Sequence, residues 1–477
     1  MTLAPALVGK LEAALGRGGV LREPEDLKTY ECDGMTTYRV VPELVVLPRS
    51  GAEVQAVVRL CHEHRVPFVA RGAGTCLSGG AVPCPGGIVL SLARMNRILE
   101  LDAGSGRITL EPGVTNLAVT RAAAPHGLYY APDPSSQPVC TIGGNIAENS
   151  GGAHCLKHGF TVNHVTGLEV VLADGELVRL GGMALDQPAG ADLLGAFIGS
   201  EGTFGVVTQV TLRLVRRPES VQVLLAGFPS LDAAGAAVSA VIAAGIVPAA
   251  MEIMDRFTLE AVEASVHPGY PDAGAILIVE LDGAVAQVED DLARVETLCR
   301  EGGGRDLRVA RDEAERALLW KGRKAAFGAM GRISHDYYVQ DGVVPRTRLP
   351  EVLRQIEELS RSYGLRVGNV FHAGDGNVHP LVLYDRRAPG EPERAKELAE
   401  AILAVCLDAG GSLTGEHGVG LDKMARMPLM FSHADVETML RLKRAFDPEG
   451  LANPGKIFPA GVAPEAWGVH PLERLAH

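Results

Sequence analysis

Hydrophobic positions in the first half of the chain fall into short runs that are separated by glycine-rich turns. Four of these runs have the length of buried strands, namely 44–47, 67–70, 88–91 and 168–172. Residues 51–64 separate the first two runs and predict a helix, whereas the polar–apolar alternation over 206–214 predicts another strand. This half is therefore predicted to consist of short strands joined by tight turns.

The pattern changes after Arg216-Arg217-Pro218, which we take as a domain boundary. Beyond it, apolar positions at helical spacing predict helices over 231–244, 285–302, 350–364, 391–409 and 435–446. Apolar runs between them predict a strand over 275–281 and a strand pair over 365–385. Strands mixed with long helices favour an α+β domain whose helices pack on one face of an antiparallel sheet. We therefore predict domains over 1–217 and 218–430, followed by a C-terminal segment over 431–477.

The composition excludes several classes of protein. Of the 477 residues, 47% are hydrophobic and 22% are charged, which is typical of a globular protein. The formal net charge of -13 argues against a nucleic-acid partner, because phosphates require a basic face. The net charge does not exclude small anionic substrates, since a few local cations can dominate the potential inside a cleft.

Neither export nor membrane insertion is indicated. Residues 1–10 lack the basic and apolar regions of a signal peptide. The most apolar stretch, 238–251, is interrupted and shorter than the roughly 20 residues that cross a bilayer. The eight cysteines are scattered with no C-x-x-C pair, so we expect neither an iron–sulfur cluster nor a structural zinc site. We expect a cytoplasmic protein with no membrane span, and membrane association through partners stays open.

Three glycine-rich loops in the first half are candidates for ligand binding. They cover 71–81, 141–152 and 199–205. Glycine lets backbone N–H groups approach an anion closely, but ordering so many glycines is costly unless the backbone lines something. The dinucleotide pattern G-x-G-x-x-G fails in the first loop, because Leu77 stands at its third glycine. Together the loops predict a large ligand that is not held by a Rossmann fingerprint.

A second group of candidates surrounds two histidines in the other half. His372 and His379 flank the turn Asp375-Gly376-Asn377, so their imidazoles can converge on one ion. The later run Gly415-Glu416-His417-Gly418 adds a carboxylate and another imidazole. Two histidines and one carboxylate form a common binding set for a divalent metal with open positions. From the residues alone, a metal site and ordinary hydrogen-bonded histidines remain equal alternatives.

Several motifs, in the same order, resemble one family of flavoproteins. They are Arg71-Gly72-Ala73-Gly74-Thr75, Pro132-Asp133-Pro134-Ser135-Ser136, Gly143-Gly144-Asn145, Asn149-Ser150-Gly151-Gly152, Gly199-Ser200-Glu201-Gly202-Thr203 and Asn453-Pro454-Gly455-Lys456. Over nearly its whole length the chain resembles the vanillyl-alcohol oxidase / p-cresol methylhydroxylase (PCMH) superfamily. Within it, the nearest resemblance is to glycolate oxidase flavoprotein subunits and FAD-dependent D-lactate dehydrogenases.

The resemblance implies a fold and a set of cofactor contacts. It implies a PCMH-type FAD-binding domain over 1–217, an α+β, ferredoxin-like substrate and metal domain with an antiparallel sheet over 218–430, and a return of 431–477 to the FAD domain. The residues implied near the pyrophosphate are Arg71, Gly72, Ala73, Gly74, Thr75, Ser78, Gly143, Gly144 and Asn145. Pro134 and Ser135 are implied near the flavin, Gly205 and Val207 near the adenine, and Gly151 and Asn453 as further contacts. Some relatives tether FAD through a histidine at the position of Thr75, so non-covalent FAD is implied here.

For the histidine motifs, the resemblance implies a metal and a base. His372, His379 and Glu416 would ligate zinc, manganese or iron, and His417 would be the base. A 2-hydroxy acid would chelate the metal, which lowers the pKa of the substrate hydroxyl. His417 would then take the hydroxyl proton while the α-hydrogen leaves as hydride to flavin N5.

Three further positions bear on the substrate. The run Trp320-Lys321-Gly322-Arg323 resembles the family's W-x-x-R and makes Arg323 the candidate that holds the substrate carboxylate, and Tyr338 is also expected to face the site. The D-2-hydroxyglutarate branch has a polar residue where Phe327 stands and a lysine near the position of Tyr338, and both are missing here. A small acid such as glycolate or D-lactate is therefore favoured.

Alternative functions and partners stay open at this point. A D-2-hydroxyglutarate dehydrogenase, an alkyl-transfer flavoprotein of the same fold without net oxidation, and a non-catalytic flavin-binding subunit are the alternatives. Glycolate oxidase complexes pair such a subunit with a second flavoprotein and an iron–sulfur protein. Partners of that kind are expected, although an enzyme that works as a single chain fits equally well.

Overall fold

The computed structural model describes residues 3–182 and 190–459. The described chain separates into two compact units. The first comprises 3–151, 159–217 without the gap at 183–189, and 416–459; the second comprises 152–158 and 218–415. The chain thus returns to its first unit at Glu416, whereas the C-terminal segment was predicted to begin at 431. The part of that segment beyond residue 459 lies outside the described residues.

The elements of the described residues are numbered here in chain order. The strands are β1 (Val20–Leu21), β2 (Leu44–Val46), β3 (Phe68–Arg71), β4 (Ile88–Ser91), β5 (Ile98–Asp102), β6 (Arg107–Leu110), β7 (Leu128–Tyr129), β8 (Val165–Val171), β9 (Leu177–Gly181), β10 (Val206–Arg213), β11 (Val215–Arg216), β12 (Ser220–Phe228), β13 (Ala250–Asp255), β14 (Ala275–Gly283), β15 (Arg305–Val309), β16 (Asp336–Val339), β17 (Gly342–Val343), β18 (Val367–His372) and β19 (Asn377–Tyr384). The α-helices are α1 (Pro5–Leu15), α2 (Pro24–Lys28), α3 (Gly51–His64), α4 (Asn116–Ala123), α5 (Ile142–Glu148), α6 (Cys155–His158), α7 (Leu193–Phe197), α8 (Leu231–Ala243), α9 (Arg256–Val266), α10 (Val285–Glu301), α11 (Glu313–Lys324), α12 (Ala326–Met330), α13 (Leu349–Tyr363), α14 (Glu391–Asp408), α15 (Met427–Met430) and α16 (His433–Phe446). None of these helices combines the length and the apolar composition that a membrane crossing requires.

The first unit contains a four-stranded sheet of order β1-β2-β4-β3, in which β4 runs parallel to β2 and β3. Helix α3 packs on it because Val54, Val58 and Cys61 recur at helical spacing and join the core of this sheet. The C-terminal segment extends the sheet, since Ala452 forms a parallel bridge with Phe68 of β3. Residues more than 380 positions apart along the chain are therefore sheet neighbours.

A second, antiparallel sheet of the same unit has the order β5-β6-β10-β8-β9. Its core contains the rings of Phe197, Phe204 and Phe446. Phe446 at the end of α16 stacks on Phe204 with ring centroids 4.8 Å apart. The C-terminal helix is thus part of the core that supports the glycine-rich loops.

The second unit is built on one antiparallel sheet of order β15-β12-β14-β13-β18-β19-β16, with β17 also pairing with β19. Helices α9, α11 and α12 contribute apolar side chains to the core on one face of this sheet. Helices α8, α10 and α14 also contact its strands, and their buried residues are not part of that core. The prediction of helices on one face is therefore wrong: central strands such as β14 are apolar at successive positions, so both faces need cover.

Candidate functional site

The first glycine-rich loop follows β3 directly and touches the second loop. A Cβ atom on Gly72 would lie 2.2 Å from Oγ1 of Thr141, so a side chain here would displace the second loop. Gly74 has a φ of +71°, and a Cβ atom there would lie 2.1 Å from Nη2 of Arg71. Both positions therefore require glycine, and the loop presents bare backbone of the kind that a diphosphate needs for close approach.

The second loop leads into α5. Thr141 caps this helix by accepting the N–H of Gly144 on Oγ1 at 3.4 Å. A Cβ atom on Gly143 would lie 2.7 Å from Cβ of Pro112, so packing also excludes a side chain at this position. The predicted positions 143–145 consequently form one tightly packed turn.

Two buried asparagines hold the loops in place. Oδ1 of Asn145 accepts an N–H of Asn116 at 3.0 Å. Asn453 donates through Nδ2 to the carbonyl of Gly80 at 2.9 Å and to that of Glu201 at 2.7 Å. Gly80 belongs to the first loop and Glu201 to the third, so Asn453 ties these two loops together. The amide groups of two predicted cofactor residues thus make hydrogen bonds that fix the loop backbones.

Glu201 in the third loop holds the segment that follows Glu416 and His417. Its carboxylate accepts the N–H of Val419 on Oε1 and that of Gly420 on Oε2, both at 2.7 Å. The motif that contains Glu201 was predicted only as part of the cofactor site, so this role was missed. The acidic residue within a glycine-rich loop is the sequence feature from which this role of Glu201 could have been predicted.

The other predicted cofactor residues lie in the same loops or in the strands beside them. They are Ala73, Thr75 and Ser78 in the first loop, Pro134 and Ser135 in the turn before the second, Gly151 after α5, and Gly205 and Val207 at the start of β10. A Cβ atom on Gly205 would lie 2.6 Å from the carbonyl oxygen of Val171, so the strand pairing requires glycine there. The described structure therefore gathers the predicted FAD residues into one unit.

Two buried cations lie beside the loops. Arg71 donates through Nη1 to the carbonyl of Ala81 at 3.3 Å, and Lys456 donates through Nζ to that of Val82 at 2.7 Å. Burial lowers the pKa of both Arg71 and Lys456, and the nearby carboxylate of Asp33 opposes that shift. Burial also raises the pKa of Asp33 to about 6, against the hydrogen bonds that it accepts. Bare backbone next to buried positive charge fits the diphosphate of FAD.

Segment 416–418 is packed against the glycine-rich loops. A Cβ atom on Gly151 would lie 2.6 Å from Oε2 of Glu416, so a predicted cofactor residue and a predicted metal ligand are neighbours. Gly418 has a φ of +82°, and a Cβ atom there would lie 2.2 Å from Oε2 of Glu148 and 2.9 Å from Oε1 of Glu201. The first unit thereby holds Glu416 and His417 in a segment with little room to move.

In the second unit, strand register brings the predicted histidines together. Glu252 of β13 pairs with His372 of β18, and His379 of β19 pairs with Val370. Directly paired residues of antiparallel strands project to the same face, so Glu252 and both histidines share one face. The two imidazole rings are nearly perpendicular, with centroids 5.1 Å apart, and a nitrogen of each lies within 4.8 Å of the other. Both histidines can therefore ligate one ion.

Glu252 connects His372 to Arg323. Its Oε1 lies 2.7 Å from Nδ1 of His372, and its Oε2 accepts Nε–H of Arg323 at 2.6 Å. The Arg323 residue is 2% exposed and Glu252 is 1% exposed. Although burial raises the pKa of Glu252, the charge of Arg323 and the contact with His372 outweigh it and lower that pKa overall. Arg323, the predicted substrate-binding cation, thus belongs to the histidine group through an acid that the sequence analysis missed.

Asp341 is a second acid that the sequence analysis missed. Its Oδ1 lies 3.3 Å from Nε2 of His379. Its Oδ2 accepts the hydroxyl of Thr414 and the N–H of Gly415. Gly415 is followed in the chain by Glu416, so Asp341 fixes the residue from which the predicted ligand and base continue.

Tyr338 does not share the face of the histidines. In β16, Val339 pairs with Leu381, two residues beyond His379 on the same face, so the side chain of Tyr338 projects to the opposite face. The expectation that Tyr338 faces the site is therefore wrong, because successive side chains of a strand point to opposite faces. Phe327 of α12 lies there instead, with its ring centroid 6.4 Å from that of His379.

Known families match both parts of the chain. A family model described as FAD linked oxidases, C-terminal domain, matches residues 217–457, and one described as an FAD binding domain matches residues 42–181. The chain belongs to the FAD-linked oxidases. The family resemblance inferred from the motifs is confirmed, and so is FAD as the cofactor of this oxidoreductase.

Curated relatives and solved structures extend the comparison. The oxidase is 52% identical to the glycolate oxidase subunit GlcD of Escherichia coli (strain K12) over 92% of this chain and 88% of that protein. It is 33% identical to the D-lactate dehydrogenase of Anaerostipes hadrus over 92% of this chain and 94% of that protein. A crystal structure of p-cresol methylhydroxylase with substrate bound has a TM-score of 0.82 at 20% identity, over 96% of this chain and 97% of that chain. The predicted α+β fold with a PCMH-type FAD-binding domain is confirmed.

Proposed function

We propose that this chain oxidises glycolate or D-lactate to the corresponding 2-oxo acid, with FAD as hydride acceptor. The observation that carries the proposal is the buried group of His372, His379, Glu252 and Arg323 on one sheet face of an FAD-linked oxidase. Relatives named glycolate oxidase subunit and D-lactate dehydrogenase support the substrate class.

The donor set supports a divalent metal held by His372, His379 and Glu416. Two imidazoles and one carboxylate suit zinc, manganese or iron. Glu416 directly follows Gly415, which is anchored to Asp341 beside His379. The metal, when bound, would make the substrate hydroxyl more acidic.

The remaining roles follow from the chemistry of the chain's own groups. Arg323 would hold the substrate carboxylate, because it is buried beside the histidines and a planar guanidinium binds carboxylates in a fixed geometry. His417 would take the hydroxyl proton, and the α-carbon would lose its hydrogen with two electrons to FAD as the carbonyl forms. Phe327 beside His379 offers no charge for a second carboxylate, which favours a small monocarboxylic acid over D-2-hydroxyglutarate.

FAD is proposed to be held without a covalent bond, since Thr75 cannot form the histidyl link of some relatives. Acid precipitation of the yellow protein should leave the flavin in the supernatant. Flavin that stays in the pellet would contradict this part of the proposal.

The test of substrate class is an anaerobic titration of the purified holoprotein. Glycolate, D-lactate, L-lactate and D-2-hydroxyglutarate are each added without oxygen, and flavin absorbance is followed. We expect glycolate or D-lactate to bleach the flavin faster than the other acids. Fastest bleaching by D-2-hydroxyglutarate would favour the alternative dehydrogenase, and no bleaching by any acid would overturn the proposed oxidation.

We also propose that the reduced flavin passes its electrons to partner subunits, a second flavoprotein and an iron–sulfur protein. The word subunit in the name of the Escherichia coli relative supports this proposal. Reduced protein purified alone should then reoxidise slowly in air and quickly with an artificial one-electron acceptor. Rapid reoxidation by oxygen alone would favour a chain that works independently.

A further inference from the structure

Glu252 is an unexpected residue at its position in the sheet. It lies in the middle of β13, and its neighbours on the same face, Met254 and Ile278, are buried apolar residues of the core. Burying a carboxylate and a guanidinium together is costly and often contributes no net stability compared with apolar residues. Stability alone therefore does not explain why Glu252 and Arg323 lie within this core.

The contacts of Glu252 determine where the proton of His372 lies. Guanidinium groups only donate hydrogen bonds, so Oε2 of Glu252 acts as an acceptor toward Arg323 at 2.6 Å. A carboxylate in this contact is ionised and also accepts on Oε1, which lies 2.7 Å from Nδ1 of His372. Nδ1 therefore carries the proton, and the lone pair of His372 is on Nε2.

The same carboxylate limits how Arg323 can turn. Nε and Nη2 of Arg323 both lie within 2.6 Å of Oε2 of Glu252. One edge of the guanidinium plane is thus directed at Glu252, and the plane itself is fixed. A planar donor group held in this way suits the recognition of a carboxylate in one orientation.

We propose that Glu252 is the positioning residue of the site, with one carboxylate oxygen setting His372 for metal binding through Nε2 and the other orienting Arg323 for the substrate carboxylate. The inference rests on the proposed function, because it needs both the metal and the hydroxy acid. Carboxylates that hold metal-binding histidines typically change metal affinity by about 10- to 100-fold when they are replaced.

The first experiment measures metal affinity rather than activity. Metal-free protein that retains FAD is titrated with Mn²⁺, and free Mn²⁺ is counted by electron paramagnetic resonance. In E252Q the amide can present its NH₂ to His372 or to Arg323, but it cannot accept from both. We expect about 10- to 100-fold weaker Mn²⁺ binding in E252Q, with flavin absorbance unchanged.

Glu280 supplies the matched control. It is also a buried glutamate on this sheet face, since it pairs with Ala250 two residues from Glu252. Its carboxylate contacts His154 and the indole N–H of Trp320 instead of the predicted ligands. E280Q should therefore bind Mn²⁺ like the parent protein.

A second measurement separates positioning from folding. At saturating Mn²⁺, E252Q should raise KM for the hydroxy acid by about tenfold, because Arg323 is no longer held. E252D keeps the charge but is one methylene shorter, so its Mn²⁺ affinity should lie between those of the parent and E252Q. If E252Q loses FAD, E252D alone decides the test.

The outcomes distinguish this inference from the proposed function. Parent protein that binds Mn²⁺ no better than an H372A/H379A variant would overturn the metal site and the inference together. Parent protein that binds Mn²⁺ more tightly than H372A/H379A, with E252Q and E252D both equal to the parent, would overturn the role of Glu252 alone.

Discussion

Two buried glutamates, one in each unit, have pKa values that are shifted in opposite directions. Burial raises the pKa of Glu148 well above its ordinary value, and the nearby charge of Glu201 adds to the shift. Burial also acts on Glu252, but the charge of Arg323 and the contact with His372 reverse its effect and lower the pKa. Burial in the first unit therefore favours the neutral form of Glu148, while the buried cation of the second unit favours the ionised form of Glu252.

The difference reflects how each unit arranges its own predicted site residues. In the first unit, the backbone forms the predicted ligand contacts. Its glycines are required by contacts such as that of Gly72 with Thr141, and Glu201 accepts hydrogen bonds from loop N–H groups. The second unit uses side chains that converge from separate strands and a helix, and the carboxylate of Glu252 connects two of them. Loss of a charge should thus be more harmful in the second unit, and loss of a glycine in the first.

The largest effect is expected for His379→Ala. Removing one of two converging imidazoles should lower kcat/KM for the preferred acid by on the order of 10³-fold, because transition-state charge loses its stabilisation. FAD absorbance should not change, since the glycine-rich loops belong to the other unit. Steady-state kinetics with an artificial acceptor measures the effect.

His335 provides the control for that variant. It is an exposed histidine of the same unit, just before β16. His335→Ala should keep full turnover and full FAD content. If His379→Ala also kept full turnover, a non-catalytic flavin-binding role would become the better interpretation.

The extent to which the site could be predicted follows the same division. The glycine-rich loops and the run from His372 to His379 are contiguous in sequence, so their motifs were recognisable. Glu252 and Asp341 were not, because each becomes a site residue only through strand register or through a loop more than 70 positions away. Tyr338 was placed on the wrong face because one step along a strand reverses the direction of the side chain.

The fold shows a related limit. Short apolar runs and the break after Arg217 predicted strands and a boundary, and an antiparallel sheet was expected from the mixture of elements. Residues 416–459 lie in the first unit because Ala452 bridges Phe68 and Phe446 stacks on Phe204. No local pattern near residue 416 indicates such distant partners, so the return point was predicted too late.

An intermediate effect is expected for Gly418→Ala, which tests the backbone-built unit. The new Cβ would lie 2.2 Å from Oε2 of Glu148 at a φ of +82°. The left-handed conformation alone costs about 1–3 kcal/mol for a non-glycine residue, and displacement of segment 416–418 adds to it. We expect both lower stability in urea unfolding and at least about tenfold lower turnover, because Glu416 and His417 move.

Gly450→Ala is the control, since it has a φ of +69° but no atom within 4 Å of the added Cβ. It should show the conformational cost without the loss of turnover. Equal behaviour of the two variants would mean that the packing around Gly418 has no importance for the site.

The smallest effect, and the sharpest test of the comparison, is the pH dependence of Glu148→Gln and Glu252→Gln. The raised pKa of Glu148 means that the folded protein holds its proton more tightly, so stability falls as pH rises above the ordinary value of 4.5. The amide of glutamine does not titrate, so the variant does not lose this stability as the pH rises. Each unit of pKa shift corresponds to about 1.4 kcal/mol of stability. Glu148→Gln should therefore raise Tm by about 2 °C or more at pH 8 and by less at pH 5.

The pKa shift of Glu252 has the opposite sign. Its lowered pKa contributes stability above pH 4.5 that disappears as the pH falls through the pKa of the folded state. Glu252→Gln should lower Tm at pH 8, and a fall in Tm for both variants at pH 8 would show that both units depend on ionised acids.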